Sequence, residues 1–236
     1  MLRLGCVPLI LLSLPVAICA SDLAAQSAAS SSPAVLPVAN ATIPTRVLSQ
    51  SPADTVTELQ IICLFHSDSS NTLHGALLES NQKLKGLLDK VRKPELFGGD
   101  LGETLLITPA PETLAAKRLL IIGLGDSQTF APVRMQLVGA IAYRESNRLG
   151  VAHPFFAPTV LDGGVTKFTT AEVAAEFLRG FLRAAETEKE ITNAGYSAGV
   201  TVADLTYLAG AKYALVTHDG LMGEFTAEAA KKNDPK

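Results

Sequence analysis

Ala116-Lys-Arg-Leu-Leu-Ile-Ile-Gly-Leu-Gly125 is the stretch whose reading decides the fold. Leu119 to Ile122 is apolar at every position, which suits a strand buried on both faces of a sheet and not a half-exposed one. Gly123 and Gly125 punctuate the end of the run, and Pro132 suits the first turn of a helix. Val133, Leu137, Ala140 and Ile141 then keep one apolar face up to Leu149-Gly150. Strand, glycine turn and helix therefore follow one another in that order.

The flanking sequence repeats the alternation. Thr57-Glu-Leu-Gln-Ile-Ile-Cys-Leu-Phe65 starts polar and becomes continuously apolar, the pattern of a first interior strand. Leu73, Leu77, Leu84, Leu88 and Val91 recur at helical spacing, predicting a surface helix over Thr72 to Arg92 with Asn71 or Thr72 as cap and Gly86 as a soft point. Glu103 to Thr108 and Arg118 to Leu124 read as neighbouring strands joined through Pro109 to Lys117. Phe155 to Leu161 is a further strand, and Pro154 and Pro158 argue for an edge position. Thr169-Thr-Ala-Glu172 is a capping box ahead of a wide apolar stripe that includes Val173, Phe177 and Phe181. Ala203 to Phe225 reads as a helix flawed by Gly210 and Gly220, with a strand at Tyr213 to Thr217 as the competing reading. The alternation predicts an α/β layer fold with a mixed, mainly parallel sheet.

The N-terminal quarter is different in kind. Met1-Leu-Arg3 gives a basic start, Leu9 to Ile18 is an apolar run broken by Pro15, and Ala17 to Ser21 supplies small residues for cleavage. This is the pattern of a signal peptide over residues 1–20. Ordinary cleavage near Ala20 or Ala25 competes with acylation at Cys19, which is disfavoured by Ile18 just before it. No apolar run reaches the roughly 20 residues needed to cross a bilayer, so no membrane insertion is expected. Residues 21–53 are rich in Ala, Ser and Pro and read as a flexible tether, residues 54–229 as one folded domain, and 230–236 as a polar tail. The formal charge of −3, without a basic block, argues against nucleic acid as a partner. Cys6 and Cys19 fall in the leader, which leaves Cys63 as a lone buried thiol with no disulfide partner.

With these patterns in hand, Arg118 to Gly125 followed by Pro132 to Gly150 resembles the strand, Gly-Leu-Gly turn and long helix of the N-terminal domain of the leucyl (cytosol) aminopeptidase family, peptidase family M17. Gly102-Glu-Thr-Leu-Leu106 is similar to that family's preceding strand, and Thr170 to Gly180, with Glu176, to its later Ala-rich helix. The likeness spans about Thr57 to Glu190. It implies a macro-like three-layer α/β/α sandwich that flanks a catalytic domain and contributes to oligomer contacts, so a homo-oligomer or an exported protein partner is expected. The family's two-metal chemistry belongs to its other domain, whose Asn-Thr-Asp-Ala-Glu-Gly-Arg motif this sequence lacks. Asp162-Gly-Gly164 echoes a metal segment of that domain without the carboxylates a two-metal site requires. The resemblance thus implies no catalytic residue, no metal and no cofactor here.

Three constellations invite a functional reading. Gly123, Gly125, Asp126 and Ser127 lie between a strand and a helix, where backbone N–H groups can cradle a phosphate, as glycine-rich loops do in macro domains that bind ADP-ribose; the competing reading is a tight turn. Gly195-Tyr-Ser-Ala-Gly199 has the form of a nucleophile elbow, with Asp204 and His218 following in order. The polar run Glu186 to Asn193 before it is not the buried strand an elbow needs, and Glu186, Glu188 and Glu190 read as a solvated face. Cys63, His66 and His74 contain metal-ligand residue types without a fourth ligand.

Overall fold

The computed structural model describes residues 33–39, 42–66, 72–92 and 96–232. The signal-peptide reading, the first part of the tether, Asn71 and residues 233–236 lie outside them. The strands are β1 (Val35–Val38), β2 (Thr45–Ser49), β3 (Gln60–Leu64), β4 (Thr104–Ile107), β5 (Leu119–Gly123), β6 (Phe155–Ala157) and β7 (Leu205–Ala209), and the helices are α1 (Gly75–Lys83), α2 (Leu87–Arg92), α3 (Met135–Arg148), α4 (Thr170–Asn193) and α5 (Ala214–Lys232). The strands form one seven-stranded sheet in the order β1-β2-β7-β6-β3-β5-β4. β2, β7, β6, β3 and β5 run parallel, and the antiparallel strands β1 and β4 close the two edges.

Side-chain alternation along the parallel strands creates two cores and therefore three layers. Ile61 and Cys63 of β3, Leu120 and Ile122 of β5 and Tyr207 of β7 face one cluster, which α3, α4 and α5 complete with Val138, Phe177 and Leu221. Ile62, Leu64, Leu119, Ile121 and Leu208 face the other, filled by Leu77 and Leu88 of α1 and α2. This is why β3 and β5 are apolar at nearly every position: each residue points into one core or the other.

The heavier helical layer is drawn close by glycine. A methyl at Gly139 would overlap the carbonyl oxygen of Phe177, and one at Gly180 that of Gln136, so α3 and α4 touch backbone to backbone. Gln136 donates to Glu176 (2.6 Å), Glu176 accepts from Arg179, and Arg179 grips the buried Glu224 of α5 through Nε (2.8 Å) and Nη2 (2.5 Å). These ion pairs hold Arg179 above its ordinary value, the hydrogen bond to Glu224 contributing most. The capping box at Thr169 is present, with both reciprocal hydrogen bonds to Glu172 formed, and these hold the Glu172 carboxyl below its ordinary value.

Several expectations are corrected. Residues 33–53, read as tether, contain β1 and β2, because Val38 and Val47 supply the inward positions of a strand pair that whole-segment composition conceals. Phe155–Ala157 is an interior strand, not an edge. Only three residues lie between Pro154 and Pro158, so neither proline is asked to donate to the ladder. Ala203 to Phe225 is a strand followed by a helix, and its strand is Leu205–Ala209, not Tyr213 to Thr217. The helix over Thr72 to Arg92 is two helices that part where Lys85 (φ 55°) and Gly86 (φ 76°) turn left-handed, and its N-cap is His74.

Candidate ligand-binding site

The site is prepared where β6 stops. In the β3–β6 register Ile62 lies opposite Ala157, so the next residue on β6 is Pro158, which has no N–H to offer β3. Thr159 takes over with its side chain: its Oγ1 donates to the Cys63 carbonyl (2.6 Å) and accepts from the Cys63 N–H (2.9 Å). The residue is held at φ 48°, a strained conformation for a β-branched side chain. The chain leaves the sheet there, and a cavity of about 640 Å³ opens over the C-terminal ends of β2, β7 and β6. Ligands of open α/β sheets sit at such strand ends, and the volume lies within the range of small-molecule pockets.

Most of the cavity wall is apolar, with Val160, Phe168, Val173 and Leu208 prominent, and its charged members are Glu79 and Asp162. Glu79 accepts from Ser51 Oγ (2.7 Å) and lies 3.9 Å from Lys83 Nζ. Asp162 belongs to the loop after β6 and seals the start of α1. Its backbone carbonyl accepts from His74 N (3.0 Å), and its carboxylate accepts from the Ala76 N–H. Burial raises the Asp162 carboxyl above the ordinary carboxylate value, against the Ala76 hydrogen bond and the charge of His74, which both lower it. Tyr207, Thr217 and Thr170 line another wall, and their hydroxyl oxygens lie buried beneath it without a hydrogen-bond partner. Tyr207 and Thr217 are each 1% exposed, and burial pushes the Tyr207 phenol well up, so it stays protonated.

The residues singled out in the sequence lie elsewhere. Gly123 ends β5 beneath the segment Gly99–Glu103, and a methyl there would overlap the Asp100 carbonyl oxygen. Its N–H donates to Glu103 O, that of Gly125 to Gly99 O, and the Gly125 carbonyl accepts from His66 N, so this loop spends its backbone groups on protein. Asp126 Oδ1 accepts from Gln128 N (2.9 Å), and Ser127 O from Phe130 N, closing the turn into the 3-10 segment Pro132–Arg134. None of Gly123, Gly125, Asp126 and Ser127 lines the cavity. Ser197 donates to Glu188, Asp204 pairs with His153 (2.7 Å), and His218 Nε2 lies 3.1 Å from Pro37 O, so the three elbow residues are engaged separately. Cys63 lies inside the sheet, His66 pairs with Asp100 (3.0 Å) and His74 caps α1. Among the described residues no group of three or more His, Cys, Asp or Glu is placed to hold a metal ion.

A mixed seven-stranded sheet between helical layers, with a cavity at its parallel strand ends, defines a macro-like α/β domain. The model of the cytosol aminopeptidase family, N-terminal domain, matches residues 61–188, just over half of the chain. The chain belongs to that family. No curated protein sequence matches it. Among solved structures it is similar to the Oceanobacillus iheyensis macrodomain with ADP, at 14% identity and a TM-score of 0.55, covering 85% of this chain and 100% of that one. A variant of the same macrodomain with ADPR superposes at a TM-score of 0.52 and 12% identity, over 84% of this chain and 100% of that one. A point mutant of tomato leucine aminopeptidase superposes at a TM-score of 0.53 and 16% identity, over 81% of this chain but only 36% of the tomato chain. At these identities the likeness is one of fold.

Proposed function

We propose that this chain is an exported, non-catalytic binding module, and that the cavity over β2, β7 and β6 holds a small organic molecule. The observation that carries the reading is the coincidence of that cavity with a strained residue, Thr159, and with buried hydroxyls that lack partners. A protein that only packs its own core would close such a space, because voids and unpaired polar groups both cost stability. Export rests on the leader pattern of residues 1–20. Mass spectrometry of the secreted protein is expected to find cleavage near Ala20, and an intact Met1 in the cytoplasm counts against it.

Amide chemical-shift mapping with a fragment library tests the binding reading. Shifts are expected in the loop 159–164 and not in Gly123–Ser127; a library that moves neither overturns it. ADP and ADP-ribose belong in that library, since macrodomains of similar fold are solved with ADP and ADPR. The rival reading, an aminopeptidase-family accessory, predicts metal-stimulated hydrolysis of a leucyl amide. None is expected. Self-association is a second reading, favoured by the exposed apolar side chains of Leu101, Leu106, Val133 and Leu137. Sedimentation of wild type against Leu137→Glu tests it.

A further inference from the structure

Resting on the reading of the cavity as a ligand site, we infer that its ligand is an organic cation: an apolar body carrying a protonated amine, with the ammonium set against Asp162. The described residues that line the cavity include Glu79 and Asp162 and no Lys, Arg or His. An anion entering it would meet two carboxylates across a partly apolar wall, where charge repulsion is poorly screened. The natural anion seat nearby, the N-terminus of α1, is already taken, because the Asp162 carboxylate accepts the Ala76 N–H. Nor does the glycine loop after β6 supply a cradle: the amides of Gly163, Gly164 and Val165 donate to the carbonyls of Thr159, Leu161 and Val160. The chain carries its own anion where a phosphate would otherwise sit.

The polar inventory of the wall fits a donor. The hydroxyls of Tyr207, Thr217 and Thr170 lack partners but lie beneath the cavity surface, so the acceptors that the cavity itself presents are led by the Asp162 and Glu79 carboxylates. An ammonium is all donor: three N–H groups and no acceptor. Glu79 is partly compensated by Lys83 and Ser51, which leaves Asp162 as the carboxylate with most to gain from a cation. Phe168, Val160, Val173 and Leu208 accept the apolar body.

The test uses the full chain and four probes: 2-phenylethylamine, 2-phenylethanol, 3-phenylpropanoate and ADP, followed by amide shifts of residues 159–164. At neutral pH the amine is expected to bind roughly tenfold tighter than the alcohol, the gain of a charge-assisted hydrogen bond, and the two anions to leave the loop unmoved. Asp162→Asn is expected to bring amine and alcohol to equal affinity. In wild type the same preference should fade as acid protonates Asp162, with Glu79 and His74 the other titratable groups acting there. This second measurement holds even if the variant does not fold. Alcohol or ADP binding as tightly as the amine, or a preference that survives both Asp162→Asn and acid, overturns the inference and leaves the ligand site standing. If no probe moves the loop, both fall.

Discussion

The turn after β5 and the turn after β6 leave the sheet on either side of β3, both carry glycines, and they have opposite fates. The first, Leu124 to Ser127, is roofed by Gly99–Glu103, which takes up the amides of Gly123 and Gly125. Over the second, Pro158 to Gly164, the described residues form no such roof, and the amides of Gly163 and Gly164 turn back onto the loop's own carbonyls. There a proline interrupts the ladder, a threonine side chain repairs it, and a cavity follows. A glycine marks where another group comes close, but whether that group is backbone or ligand depends on a segment distant in the chain.

The comparison is broken most directly at Gly123. A methyl there collides with backbone that cannot rotate away, so Gly123→Ala should cost about 3 kcal/mol or more in urea denaturation. A loss under about 1 kcal/mol means that the roof gives way and the loop is less closed than described. Thr159→Val keeps the branched shape and removes only the hydroxyl, stranding the Cys63 N–H and carbonyl inside the sheet. It should cost about 2 kcal/mol and disturb fragment binding to the loop 159–164. Gly164 has open space around it and a φ of 88°, so Gly164→Ala should cost only about 1 kcal/mol, all of it backbone strain. Parity of the Gly123 and Gly164 variants would erase the distinction between the turns.

Two smaller effects sharpen it. Because burial raises Asp162, the native chain holds that proton more tightly than the unfolded one. The folded state therefore gains relative stability as pH falls through this window and loses it as pH rises through the folded value. Asp162→Asn should raise the thermal midpoint at neutral pH and leave it near wild type once the carboxyl is protonated. Tyr207→Phe discards a buried hydroxyl with no partner, so the free protein should gain about 1 kcal/mol in the same denaturation.

What was legible in the sequence follows from local physics. β3 and β5 announce themselves because every residue is buried, and the Thr169–Glu172 box because a cap is a local device. β1 and β2 hide because they are short strands among Ala, Ser and Pro whose stability comes from pairing, β1 with β2 and β2 with distant β7, which composition cannot register. β7 reads as part of a helix because Gly210 alone separates it from the turn that leads to α5. The cavity residues come from the segment after β2, from α1, from β6 and the loop after it, and from α4, β7 and α5, and no spacing rule joins them. The local signal that points to the site is Pro158-Thr159 at the end of a strand, with Asp162-Gly-Gly164 beyond it.

Cys63 lies in β3, wholly buried, with its thiol pushed far up by desolvation. Alkylating reagents attack thiolates, so this sulfur reacts only when the sheet itself comes apart. Its labelling rate is thus a built-in clock of global opening. A bound molecule in the cavity next door, by steadying Thr159 against Cys63, would make that clock run slower.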